Sequence, residues 1–122
     1  MDRFMIGAAT APHQVEGNNT TSDCWVMEQL RHSDYTEPSG DACDHYNRYE
    51  EDIALLAASG CNAYRFGIEW ARIEPMERRF DPAAIEHYRQ VLLCCEKKRY
   101  YSDSDITSFF QSFLADFQRR MG

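Results

Sequence analysis

Apolar and polar residues alternate from Asn62 to Trp70, and this period-two pattern predicts a β-strand. Tyr64, Phe66, Ile68 and Trp70 fall on one face, and Ala63, Arg65, Gly67 and Glu69 on the other. A parallel strand covered on both sides is apolar on both. Here an arginine and a glutamate sit among small residues. That fits a strand with helices on one side and a polar interior on the other, or else an exposed face carrying two solvated charges. Arg65 and Glu69 lie about 13 Å apart along a strand, too far to pair directly. A buried Arg65 therefore needs an acceptor from elsewhere.

The flanking segments set the class. Tyr46, Tyr49, Ile53 and Leu56 recur at helical spacing, predicting a helix from Asp44 to Gly60 with Asp44 as N-cap and Gly60 in the left-handed position after the last turn. Asp81-Pro82 predicts a second capped helix start, and Ile85, Tyr88, Val91, Leu92 and Cys95 form its apolar stripe. The apolar run Phe4–Ala11 predicts a buried strand. Strand, long loop, helix, strand, loop, helix is a βα-repeating order, which argues for a parallel α/β sheet.

Charge and composition narrow the partners. A net charge of −7 and a pI near 5.0 argue against nucleic acid. No run approaches the length of a membrane helix, so no membrane partner is expected. Met1-Asp2-Arg3 and the small apolar residues after it superficially resemble a signal peptide, but the basic region is weak. The five cysteines, Cys24, Cys43, Cys61, Cys94 and Cys95, are odd in number and irregularly spaced. Reduced, mostly packed thiols in a cytoplasmic protein are expected, with neither a metal nor another cofactor.

Three ordered blocks carry a family resemblance. They are Gly7-Ala8-Ala9-Thr10-Ala11 with Gln14-Val15-Glu16-Gly17, then Ala42–Tyr46 with Arg48–Ile53, then Tyr64-Arg65-Phe66 with Trp70-Ala71-Arg72-Ile73 and Pro75. From about Phe4 to about Lys97 the chain resembles the amino-terminal part of glycoside hydrolase family 1, the β-glucosidases. The resemblance implies a (β/α)₈ TIM barrel and retaining hydrolysis of β-glycosides. It implies that Gln14 binds hydroxyls of the glycone sugar, a task suited to an amide that both donates and accepts. It also implies that Arg65 stands beside the catalytic nucleophile and keeps that carboxylate ionised. His13, next to Gln14, and Glu69 are candidate lining residues. Glu16 and Trp25 read as structural, through loop hydrogen bonding and packing.

The chain also departs from the family pattern. A retaining glycosidase needs two carboxyl groups about 5–5.5 Å apart. The family carries them in Thr-Phe-Asn-Glu-Pro and Thr-Glu-Asn-Gly motifs, and neither motif is present. Glu37-Pro38 belongs to the first long loop and Glu74-Pro75 follows the second strand, so neither substitutes. The family's third-strand histidine pair is missing as well. A barrel of this type takes about 250 residues, against 122 here. The expectation is an incomplete barrel: residues 1–98 as its first two βα units, then a divergent tail, 99–122, with an amphipathic helix over 104–121. No catalytic residue is assigned. Such a chain is expected to be marginally stable, to self-associate or to need a complementary barrel fragment, and to be inactive alone while its family handles β-glycosides or small sugars. The alternative is a non-catalytic sugar-binding or protein-interaction module derived from the barrel.

Overall fold

The computed structural model of the chain describes residues 4–98 and residue 119. The elements run β1 (Gly7–Ala9), α1 (Pro12–Val15), α2 (Asp23–Glu28), α3 (His45–Ala58), β2 (Ala63–Arg65), α4 (Trp70–Ile73) and α5 (Pro82–Lys97). β1 and β2 pair in parallel, with Gly7 opposite Ala63 and Ala9 opposite Arg65. The expected tail helix over 104–121, and the tail as a separate region, lie outside the described residues apart from Arg119.

The two long helices form as their caps and stripes dictate. The Asp81 carboxylate accepts from the Ala83 amide at 2.9 Å and Pro82 opens α5. Ile85, Tyr88, Val91, Leu92 and Cys95 are all buried along its inner face. α3 ends at Gly60, whose φ of +97° is readily adopted without a Cβ. There Gly60 N–H donates to Ala57 O and Cys61 N–H to Leu56 O, a Schellman pair that closes the helix. The start of α3 corrects the expectation in its chemistry. Asp44 stands at the N-cap, but in the left-handed region (φ 50°), and its carboxylate makes no backbone cap. It accepts from Asn47 Nδ2 and pairs with Arg48 Nε instead.

Two apolar clusters glue these helices to the strands. Ile53, fully buried, meets Val91 and Cys95 among Tyr49, Leu56, Tyr64 and Phe66. Ile73, Ala84, Ile85 and Tyr88 form the other, with Tyr46, Ile68 and Phe80 against them. Tyr64 and Phe66 stack 5.3 Å apart on the helix side of the sheet, as the alternation requires.

Both strands are shorter than the pattern suggests. The chain leaves strand geometry after Arg65, and Trp70 enters a helical turn, where it is 45% exposed. The Phe4–Ala11 segment is not a buried strand. Its strand covers Gly7–Ala9, and Phe4, Met5 and Ile6 are 85%, 61% and 58% exposed. Burying them takes neighbours on the far side of β1, and the described residues supply none. Asn62 still holds this segment in place: its Oδ1 accepts from Ile6 N–H at 2.8 Å and its Nδ2 donates to Phe4 O at 3.0 Å.

Candidate functional site

Parallel strands end together, so the loops after β1 and β2 share one edge of the sheet. Thr10 N–H donating to Arg65 O ties the strand ends at that edge. Gln14 sits in α1, just past β1, and Arg65 is the last residue of β2. Gly7, Ala9, Ala63 and Arg65 lie on the face away from the helices, by alternation from the packed Tyr64. Gln14 and Arg65 are both exposed, and among the described residues Arg65 has no ion pair.

Behind them lies a polar network that stitches the first loop to the second. Asn19 Nδ2 donates to Glu69 Oε2 at 2.7 Å, Thr21 Oγ1 to Ala71 O at 3.0 Å, and Arg72 Nη2 to Gly17 O at 2.6 Å. Gly17 has φ +85°, and a Cβ there would stand 2.2 Å from Asp41 O, so no other residue fits without movement. Glu16 is 4% exposed. Its carboxylate accepts the Tyr88 hydroxyl at 2.7 and 2.8 Å, and Arg72 Nε stands 3.6 Å from Oε2. Burial pushes the Glu16 carboxyl above its ordinary range, against the Tyr88 hydrogen bond and the Arg72 charge, which pull it down. Glu69 N–H donates in turn to the Tyr88 oxygen at 3.1 Å.

The candidate lining residues are thus held by the loops. His13 Nε2 contacts Glu28 Oε2 at 3.0 Å, and Glu28 also accepts from Ser39 N–H and Oγ. Glu69 receives Asn19 and caps α4 through Ala71 N–H at 3.3 Å. Glu16, Glu28 and Glu69 each carry fixed partners, which leaves none of them arranged as a free nucleophile. Tyr88 was expected only in the apolar stripe and Arg72 only within a family block, and neither these nor Asn19 was given a part in the site. Tyr88 had a legible signal, since a tyrosine within a buried stripe must find a partner for its hydroxyl. Arg72 and Asn19 had none.

A second, half-buried cluster gathers on Tyr46. His87 stacks on its ring, centroids 3.6 Å apart, while the Arg72 guanidinium lies 4.2 Å from the same centroid. At those separations the two occupy opposite faces of the ring. Burial first, then the Arg72 and His45 charges, lower His87 to about 4. A histidine lowered from 6.5 favours folding above that value, and the contribution is lost as pH falls from about 6.5 toward 4. The melting temperature is therefore expected to drop between pH 7 and 5, and His87→Phe to flatten that drop. Equal slopes for the two proteins in calorimetry would refute this source of acid sensitivity. Across the sheet, Asp52 Oδ2, His45 Nδ1, His45 Nε2, Tyr64 Oη and Thr10 Oγ1 form a chain with contacts of 2.7, 3.3 and 2.8 Å. Burial raises the Tyr64 hydroxyl above its ordinary range. All five cysteines are unpaired, and burial lifts the Cys95 thiol to about 12, which makes it unreactive. Among the described residues no group of His, Cys, Asp and Glu side chains is arranged to hold a metal. No described helix is long and apolar enough to cross a membrane.

A parallel strand pair with helices on one face, and a braced polar rim at the carboxyl ends of the strands, is the start of an α/β protein built from βα units. The model of glycosyl hydrolase family 1 matches residues 1–102, and the chain belongs to that family. Thermostable beta-glucosidase B of Thermobispora bispora is 35% identical over 96 residues, covering 75% of this chain and 20% of the relative. A cyanidin 3-O-glucoside 7-O-glucosyltransferase (acyl-glucose) of Delphinium grandiflorum is 37% identical over 95 residues, covering 73% and 19%. The solved beta-glycosidase BGL167 superposes with a TM-score of 0.76 at 56% identity, over 79% of this chain and 23% of that one. The chain thus spans about a fifth of the length of the curated relatives it matches.

Proposed function

We propose that this chain supplies the first two βα units of a retaining β-glycosidase (β/α)₈ barrel, forms part of its glycone-binding floor, and does not cleave glycosides by itself. One observation carries the reading. Gln14 and Arg65 stand at the carboxyl edge of a parallel sheet, where barrel active sites are built, and both side chains are open. Gln14 would donate to and accept from sugar hydroxyls. Arg65 would hold a nucleophilic carboxylate in its charged form. Every carboxylate of the braced rim is already engaged, and the family's two catalytic glutamate motifs are absent from these 122 residues.

The sugar is a β-glycoside by family. One relative carries a glucosyltransferase name, so whether water or a second hydroxyl accepts the sugar depends on residues other than these. Five unpaired thiols support a reducing, cytoplasmic setting.

The chain alone is expected to release no nitrophenol from a chromogenic β-glucoside above the buffer rate. Turnover above that rate would overturn the reading. Glucose or cellobiose, titrated by NMR, is expected to shift the Gln14 side-chain amide only weakly. Saturable, submillimolar binding would favour a non-catalytic sugar-binding module.

A further inference from the structure

With Gln14 read as a sugar contact, we infer that residues 29–38 form a flap beside it, and that Glu28 is the positioning residue that clasps this flap to the short helix carrying Gln14. Glu28 closes α2, where the flap leaves the helix. Its carboxylate accepts from the Ser39 amide at 3.1 and 3.2 Å and from Ser39 Oγ at 2.9 Å, so it also holds the residue where the flap returns. Both ends are thus closed on one side chain, as in compact surface loops of this length. Beyond Ser39 the chain is fastened again. Asn18 N–H donates to Gly40 O at 2.6 Å, and Asn18 Nδ2 to Asp41 Oδ1 at 2.7 Å. Motion of the flap therefore stops at Ser39. Between the two ends every residue but Ser33 is exposed, and none joins either apolar cluster. A segment with so little burial opens at lower cost than the core. Tyr35 anchors it: its hydroxyl hydrogen-bonds with the Cys24 thiol, and its ring meets His13 edge-on with centroids 6.0 Å apart.

The same carboxylate holds the site. Glu28 Oε2 lies 3.0 Å from His13 Nε2, and His13 directly precedes Gln14 in α1. His13 Nδ1 faces Asn19 Nδ2 at 3.5 Å, and Asn19 in turn donates to Glu69, the cap of α4. Burial opposes charge on Glu28, but hydrogen bonds from His13 and Ser39 outweigh it and hold the carboxyl below its ordinary 4.5. At neutral pH the acceptor is ionised, and the bonds it receives are of the stronger, charge-assisted kind. A carboxylate that loses the Ser39 donors turns to water, and His13 then loses the acceptor that orients its ring. Flap position and the His13 ring are therefore linked, and such a linkage acts in both directions.

Amide hydrogen exchange, followed by NMR on the 122-residue chain at neutral pH, reads the clasp directly, because the Ser39 amide is one of its bonds. In the unaltered chain the Ser39 amide is expected to be about tenfold less protected than that of buried Val91 in α5. His13→Phe keeps a ring against Tyr35 but cannot bond Glu28. It is expected to lower Ser39 protection by about a further tenfold, as loss of a hydrogen bond to a charged group does, and to leave Val91 unchanged. Glu28→Gln is expected to act alike on Ser39 and to shift the His13 ring protons. Excess cellobiose is expected to raise Ser39 protection about twofold, since a ligand that favours the closed flap stabilises it. If Ser39 is as protected as Val91 in the unaltered chain, or if His13→Phe leaves Ser39 unchanged, the flap and its coupling are overturned. Equal losses at Ser39 and Val91 would make His13 part of the core's stability and overturn the coupling too. Coupling without any response to cellobiose leaves the flap standing and counts against Gln14 as a sugar contact.

Discussion

Arg72→Ala is expected to cost about 3–5 kcal/mol of folding stability, the range seen when one member of a buried ion pair is removed. Its side chain is 17% exposed and Glu16's is 5% exposed. The guanidinium faces the Glu16 carboxylate, donates to Gly17 O and lies over the Tyr46 ring. Alanine would strand a carboxylate whose burial already opposes ionisation. A carboxyl raised in the fold lends stability below its ordinary 4.5 and loses it as pH rises through the folded value. The deficit of Arg72→Ala should therefore shrink as the buffer is taken down toward pH 4.5, where a protonated Glu16 needs no cation. Arg72→Lys should fall between, because an ammonium keeps the charge but loses the planar stacking on Tyr46. Urea unfolding at two pH values measures all of this. A loss below about 1 kcal/mol at neutral pH would place the pair among surface bridges, whose worth is small.

Ile53→Ala is the second large effect, about 2–5 kcal/mol from lost transfer energy plus the cavity left behind. Ile53 is 0% exposed and touches both α5, through Val91 and Cys95, and the strand aromatics Tyr64 and Phe66. Its removal loosens the joint between the sheet and both long helices. Leu55, two residues on and 68% exposed, provides the contrast. Leu55→Ala should change the unfolding free energy by less than about 0.5 kcal/mol. If the two variants unfold alike, the cluster around Ile53 does not bear the stability assigned to it.

Typical domains are stable by only about 5–15 kcal/mol, so either of the large substitutions would consume much of the total. The expectation of a marginal chain adds force to this. The exposed Phe4, Met5 and Ile6 lie in the first described residues and supply no burial energy to offset a loss elsewhere. Variants are best compared by chemical unfolding at low protein concentration, which keeps the measured transition unimolecular.

The sequence by itself determined the two long helices, the two faces of β2 and the family. Asp81-Pro82, the stripe Ile85–Cys95 and Gly60 are local signals, since a cap, a 3.6-residue period and a positive φ need no knowledge of distant residues. The alternation through Tyr64, Arg65 and Phe66 was legible for the same reason, and it set apart the helix side of β2 from the side that carries Arg65. Ordered blocks from Gly7 to Pro75 were enough for the family, because each couples a fold position to a chemical group.

Only the tertiary structure decided how the rim is held. Asn19 reaches Glu69 across 50 residues and Tyr88 reaches Glu16 across 72, and no periodicity encodes a contact at such separation. It likewise decided burial on the sheet. The Phe4–Ala11 run is apolar enough for a core strand, but hydrophobicity states a preference for cover and not whether cover is present. Trp70 shows the converse: alternation would continue β2 through it, yet the Glu69 carboxylate captures the Ala71 amide and turns the chain into a short helix. β2 has already ended at Arg65, and the Glu69 cap opens the helical turn that takes Trp70 out of the alternating pattern.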